Sequence, residues 1–272
     1  MYHVAFPGLG IEFTIDPVAF SIGDYKIYWY GIIIAIGFIL ASGYAMLNSK
    51  RFEIDKNKLI DVIILGLIAG IIGARLYYVI FYPSDFYLKN PSYIFKIHEG
   101  GLAIYGGIIG SFIVGVIVAK IQKINIFATL DIASISFLIG QCIGRWGNFI
   151  NQEAFGTATN LPWGMISENT LLETQSPVHP CFLYESLWCL LGFILLEIFS
   201  RNFRKYNGQI FLLYIAWYGI ERFFVESLRT DSLMIPFINL KVSQVLACLS
   251  VIISLTLLTI FKIKKVNNIV AK

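Results

Sequence analysis

In the run Gly144-Arg145-Trp146-Gly147-Asn148-Phe149-Ile150-Asn151-Gln152-Glu153-Ala154-Phe155-Gly156, a cation, two asparagine amides and a carboxylate stand where a long apolar segment ends. An arginine near the centre of a bilayer costs about 2.5 to 3.5 kcal/mol on insertion scales, so it is read as part of a functional site facing the protein interior. Two further segments carry an arginine at comparable depth: Arg75 in Gly73-Ala74-Arg75-Leu76-Tyr77-Tyr78, and Arg222 in Tyr218-Gly219-Ile220-Glu221-Arg222-Phe223-Phe224-Val225-Glu226-Ser227-Leu228-Arg229. Guanidinium groups stay charged and can grip a phosphate through two parallel hydrogen bonds. Cations set against few nearby acids therefore predict an anion pocket. Asn148 and Asn151, three residues apart, offer amide donors, and Glu153 offers an acceptor or a base. Arg222 and Glu226 are four apart and share a helix face, so an internal ion pair that offsets the burial cost is the competing explanation.

The elements that must carry these groups follow from composition. Of 272 residues, 57% are hydrophobic and 14% charged, with a mean hydropathy of +0.72, too apolar for an ordinary soluble surface. A membrane-crossing helix needs about 20 mainly apolar residues. Seven segments qualify, near 27–48, 59–82, 102–119, 127–146, 180–199, 208–227 and 242–261. The expected fold is an all-α polytopic membrane protein: one domain over 1–272, with 147–179 as a small extracytoplasmic loop or head segment. Four cationic groups alternate onto one side: Lys50, Arg51, Lys56 and Lys58; Lys120 and Lys123; Arg201, Arg204 and Lys205; Lys262, Lys264, Lys265 and Lys272. The opposite side holds only Lys26, Lys89, Lys96, Arg229 and Lys241, and the 147–179 stretch has no Lys or Arg. The bias predicts an N-terminus outside and a C-terminus in the cytoplasm. No basic leader with a short apolar core and small-residue cleavage site precedes the first span, which is expected to act as the insertion signal. In a membrane, a ligand with both a phosphate and apolar tails is a phospholipid. The scattered basic residues do not form the dense stripe that nucleic acid requires.

Other residues have plainer explanations beside the functional ones. Cys142, Cys181, Cys189 and Cys248 contain no C-x-x-C pair and read as small buried hydrophobes. His3, His98 and His179 lack the spacing of a zinc site, so no metal or other cofactor is expected. Tyr25, Tyr28 and Tyr30 fit an interfacial aromatic belt or a substrate contact, and His98 an interfacial residue or a proton carrier. Gly66, Gly70 and Gly73, with Gly106, Gly107 and Gly110, form small-residue steps on which helix backbones can approach closely. In His179-Pro180-Cys181-Phe182-Leu183-Tyr184-Glu185, Pro180 suits a helix start. Glu185 is an intramembrane acid that needs a partner, and one of the arginines is the candidate.

Taken together, these motifs resemble the bacterial prolipoprotein diacylglyceryl transferases. The 144–156 run is similar to that family's signature, and the order of the remaining motifs fits: 73–82, Glu99-Gly100-Gly101, 179–185 and 218–229. The resemblance covers essentially the whole chain. It implies transfer of an sn-1,2-diacylglyceryl group from phosphatidylglycerol to the lipobox cysteine thiol of a preprolipoprotein signal peptide, giving a thioether and glycerol 1-phosphate. It also implies residence in the bacterial cytoplasmic (inner or plasma) membrane among its lipids. Carried over by motif, Arg145, Asn148, Asn151, Glu153 and Gly156 correspond to the signature, and Arg222, Glu226 and Arg229 to the last polar helix. One departure stands out: many members have a histidine in the third span where this chain has Tyr105, in Ala103-Ile104-Tyr105-Gly106-Gly107. His98, seven residues earlier, does not inherit that role.

The expected machinery is therefore Arg145 and Arg222 on the phosphate, with Glu153, Glu226 or Tyr105 handling protons. Arg75, Asn148, Asn151, Gly156, Tyr28 and Arg229 are expected to bind substrate. A cysteine of pKa about 8.5 is only a few per cent thiolate at pH 7, so a base or positive potential beside it is needed. A transporter, or a noncatalytic lipid-binding protein built on the same pocket, is the rival reading. Many transporters show a two-halves repeat that this chain lacks.

Overall fold

The computed structural model describes residues 1–97, 100–230, 234–235 and 240–264. His98 and Glu99, two residues singled out above, lie outside that set, as do Lys265 and Lys272. The chain begins with four strands, β1 (Tyr2–Phe6), β2 (Ile11–Ile15), β3 (Val18–Ile22) and β4 (Tyr25–Tyr28). Helices α1 (Trp29–Asn48), α2 (Lys56–Ile80), α3 (Phe86–Lys89), α4 (Ile104–Ile121) and α5 (Ile126–Asn151) follow. Then come β5 (Ile166–Ser167), α6 (Glu168–Leu171), α7 (Cys181–Asn202), α8 (Gln209–Leu228) and α9 (Val242–Ile263).

Six of these helices, α1, α2, α4, α5, α7 and α9, are long and apolar enough to cross a membrane. Ile39, Ile72, Phe112 and Ile253 are more than half exposed, as expected of side chains that face lipid rather than water. The expected span at 208–227 does form a helix, α8, of 20 residues, but it carries Glu221, Arg222 and Glu226 and falls outside the apolar set. The all-α expectation also needs correction, because the described residues include five strands. The β1–β2 hairpin turns at Pro7–Leu9 and Gly10, the latter in the left-handed region at φ 65°. β1 also pairs antiparallel with β5, giving the order β2-β1-β5, while β3 and β4 form a separate hairpin. Short β-branched and aromatic runs between turn residues are a strand pattern, but they are masked when the whole chain is scored for apolar length.

The described residues divide into two compact units, Met1–Tyr44 with Asp131–Lys272, and Ala45–Leu130. In the second, α2 and α4 pack backbone to backbone. A Cβ at Gly106 would strike the Gly73 carbonyl, and one at Gly110 would lie 3.3 Å from the Gly73 Cα. The Ser111 hydroxyl donates to the Gly66 carbonyl at 2.9 Å across the same seam. The glycine steps thus do what their spacing predicts. Gly73→Leu is expected to force α2 and α4 apart at a cost of about 1–3 kcal/mol, read as a lower unfolding temperature in detergent.

In the first unit, three helices are tied together by polar contacts. Trp188 on α7 and Trp217 on α8 stack at 4.4 Å, and each indole donates to the other's backbone carbonyl at 3.1 Å. Between α5 and α7, Ser186 Oγ donates to the Cys142 carbonyl at 2.9 Å and accepts from the Trp146 indole at 3.2 Å. Between α5 and α8, Gln141 donates to the Tyr214 hydroxyl at 3.1 Å. Asp131, fully buried, accepts from the backbone amides of Gly208 and Phe211 at 2.9 Å and from Arg204 Nε at 3.0 Å. It satisfies first-turn amides of α8 that have no partner within the helix. At the other end, Lys241 Nζ donates to the carbonyls of Glu226 at 2.6 Å and Arg229 at 2.9 Å, closing the C-terminus of α8 with a cation. The sheet has its own core of Val4, Ile15, Met165 and Val178, which continues into Phe149 on α5, Phe155 beyond its end and Phe182 on α7.

Candidate active site

Arg145, near the end of α5, forms an ion pair through Nε with Glu185 Oε2 on α7. Arg222 on α8 approaches the other oxygen of the same carboxylate at 3.6 Å through Nη1, and places Nη2 2.5 Å from Glu226 Oε2. Glu185 is thus the partner that its position in an apolar helix demanded, held between two arginines. It is 2% exposed, as is Glu226, whereas the arginine side chains keep 22% and 20% of their surface open. Among the described residues no hydrogen bond or ion pair engages the terminal nitrogens of Arg145. That guanidinium is anchored at Nε and offers its fork outward, the geometry that a two-point grip on phosphate uses.

A third buried acid belongs to the same group. Glu221, 4% exposed, couples electrostatically to Glu185, Arg145 and Arg222. The expected excess of cations over acids is therefore not found: two guanidiniums face three carboxylates. Only folding could reveal this, because Glu185 lies 40 residues from Arg145 in the chain. Sequence spacing gives Glu221 no partner in Arg222, because adjacent helical residues do not face each other. Its spacing from Tyr218 and Val225, three and four residues, was the available signal that it shares the buried face.

Downstream of Arg145 the signature run ends its own helix. Gln152 and Ala154 take left-handed backbone angles, φ 50° and 57°. Asn169 Nδ2 donates to the carbonyls of Asn151 and Gln152 at 3.4 and 3.1 Å, where the helix ends. Asn148 Nδ2 donates to Glu153 Oε1 at 2.9 Å, with Glu153 itself exposed. Asn148, Asn151 and Glu153 thus share one turn, and Arg145 lies one turn before it. The chain then runs beside the start of α7 and the end of α8, Gly156 donating to the His179 carbonyl at 2.9 Å and Thr157 to the Leu228 carbonyl at 2.7 Å. Gly156 forms a bridge with Arg229. A Cβ there would lie 2.8 Å from the His179 Cβ and 2.9 Å from Cys181 Sγ. The residue is glycine for want of space. Burial pushes the His179 imidazole below its ordinary pKa, and its Nδ1 lies 3.1 Å from the Tyr184 hydroxyl.

The second unit holds Arg75 and Tyr105. Arg75, 6% exposed, spends all three guanidinium nitrogens on backbone carbonyls: Nε on Ile94 at 2.8 Å, Nη1 on Gly100 and Gly101 at 2.8 and 3.0 Å, Nη2 on Tyr93 at 2.6 Å. Gly100 and Gly101 sit at φ 91° and 72°, left-handed angles that glycine adopts without a Cβ penalty. The donors of Arg75 are spent on the protein's own backbone, and it organises the loop before α4. Tyr105 is 52% exposed and lies with its ring tilted 42° to that of Tyr77, ring centres 6.4 Å apart. In the first unit Tyr28 is half exposed beside Tyr25 and Trp29, an aromatic cluster at the head of α1. Of the cysteines, Cys181 and Cys189 are buried as expected, but Cys248 is exposed on α9.

Fold and site together define a polytopic membrane protein with a charged, helix-bounded centre built from α5, α7 and α8. A family model described as prolipoprotein diacylglyceryl transferase matches residues 17–260. Relatives from Staphylococcus aureus strains Newman, USA300 and JH9 are 45% identical over 265 residues, covering 94% of this chain and 93% of each relative. Each is named phosphatidylglycerol–prolipoprotein diacylglyceryl transferase. The chain belongs to the prolipoprotein diacylglyceryl transferase family.

Proposed function

We propose that this enzyme transfers the sn-1,2-diacylglyceryl group of phosphatidylglycerol to the lipobox cysteine of preprolipoprotein signal peptides. The products are a thioether and glycerol 1-phosphate. The observation that carries the site assignment is Arg145, fixed at Nε by a buried carboxylate while its terminal nitrogens stay open. Arg145 and Arg222 bind the phosphate and offset the charge that grows on it as the glycerol carbon–oxygen bond breaks. Asn148 and Asn151 orient the headgroup, and Arg229 lies near its approach. Glu153, Glu226 and Tyr105 are the groups that the sequence nominates for proton handling, and Glu226 is already committed to Arg222. Tyr28 contributes at the membrane interface.

In this reading α8 is the seventh span, its three charges turned inward to the site rather than toward lipid. The whole chain is one transferase domain of the bacterial cytoplasmic membrane. The four cationic groups lie in the cytoplasm, the N-terminus outside, and 147–179 beside β1 and β2 as the extracytoplasmic head. Lipid and signal peptide both arrive within the membrane, which suits a site enclosed by helices.

The test is to incubate purified protein in phosphatidylglycerol vesicles with a lipobox peptide, following peptide mass and glycerol phosphate release beside an Arg145→Ala control. A diacylglyceryl gain on cysteine with matching headgroup release, lost in the variant, is the expected outcome. Folded protein that binds the lipid but yields no adduct would overturn the assignment.

A further inference from the structure

The site contains one acid that its ion pairs leave over. Glu185 is held by both arginines and Glu226 by Arg222, whereas among the described residues Glu221 forms no ion pair; its Oε1 is buried without a hydrogen-bond partner, as are Glu185 Oε1 and Glu226 Oε2, but those two lie against Arg222. A buried polar atom left unsatisfied is costly, and such atoms in a folded protein call for a functional explanation. The neighbourhood supplies a need for one. Bringing a thiol to a glycerol carbon requires removal of the thiol proton, and the other nominated acceptors suit it less: Glu153 is exposed and engaged by Asn148, and a tyrosine phenol is a poor base near neutral pH.

We propose that Glu221 is the group that accepts the proton of the substrate thiol. The inference rests on the transferase reading above. As the S–H bond breaks, the proton passes to Glu221 Oε1 and the sulfur electron pair forms the S–C bond. The glycerol C–O bond breaks with its electron pair leaving on the phosphate, which Arg145 and Arg222 hold. Glu221 then returns the proton to the departing phosphate monoester and is a carboxylate again. Its setting suits the exchange. Arg145 on α5, Glu185 and Cys189 on α7, and Tyr214, Tyr218 and Arg222 on its own helix are the titratable and charged groups coupled to it. The α9 side packs on Gly219 through Ala247, Ser250 and Val251, none of them titratable. Arg145 and Arg222 keep a carboxylate tolerable at this depth.

The experiment compares the parent enzyme with Glu221→Gln and Glu221→Asp in phosphatidylglycerol vesicles, using a lipobox peptide with cysteine and the same peptide with selenocysteine. A selenol is more acidic than a thiol and needs no base near neutral pH. With the cysteine peptide, Glu221→Gln is expected to lower kcat/KM by about 10²-fold or more at pH 7, a deficit that shrinks toward pH 9. With the selenocysteine peptide the deficit should largely disappear, and Glu221→Asp should retain more activity than Glu221→Gln. Activity within about threefold of the parent would overturn the proposal, as would an equal loss with both peptides at every pH. If Glu221→Gln does not fold, the order of Glu221→Asp and Glu221→Ala decides, an equal loss in both counting against the proposal. A parent enzyme that forms no adduct sinks the transferase reading, and this proposal with it.

Discussion

Arg145→Lys is expected to lower turnover by about 10²-fold or more while the protein remains folded. Removing one donor from a preorganised anion site typically costs 10²–10³ in rate. Here the loss has a specific origin, because Arg145 does two things at once: Nε holds Glu185 and the terminal nitrogens face outward. A lysine has one ammonium and cannot keep the buried carboxylate paired while gripping a phosphate from the other side. Charge alone is preserved by the substitution, so the result separates geometry from simple attraction. Initial rates in phosphatidylglycerol vesicles, with thermal unfolding of both proteins alongside, give the comparison. A lysine variant with near-parental turnover would eliminate the two-point grip.

Glu185→Ala should be the most destabilising single change at the site. Its carboxylate, 2% exposed, lies between Arg145 and Arg222, so deletion leaves two partly buried guanidiniums facing each other with one acid removed. Breaking a buried pair by removing one partner costs about 3–5 kcal/mol. Glu185→Gln keeps the shape and loses the charge, and is expected to fall between parent and alanine. The unfolding midpoint in detergent reads the effect. A double-mutant cycle of Glu185→Ala with Arg145→Ala should show the two changes to be strongly non-additive. Additive losses would mean that the pair is not a unit.

Much of this was legible beforehand because bilayer physics acts on local composition. Apolar length predicted the helices near their observed limits, and the glycine steps marked helix faces that allow close approach, since both depend only on residues close in sequence; that α2 and α4 are the pair was decided by folding. The hairpin at Gly23-Asp24 carried a turn signature as well, but strands of four or five residues contribute little to an apolar count taken over twenty.

The sequence by itself determined that arginines stand at membrane depth and that Glu185 requires a cation, because an unpaired charge there is too costly to persist. It could not determine which cation. Arg75, Arg145 and Arg222 look alike in a linear chain, and they diverge only through long-range contacts: Arg75 is saturated by carbonyls that Gly100 and Gly101 turn toward it, whereas Arg145 keeps its fork open. The sign of the local charge was likewise a tertiary decision. Glu226 faces Arg222 along α8 itself, but Glu185 meets Arg145 and Arg222, and Glu221 comes under the influence of Arg145, only when α5, α7 and α8 pack together, and electrostatic energy depends on distance in space rather than along the chain.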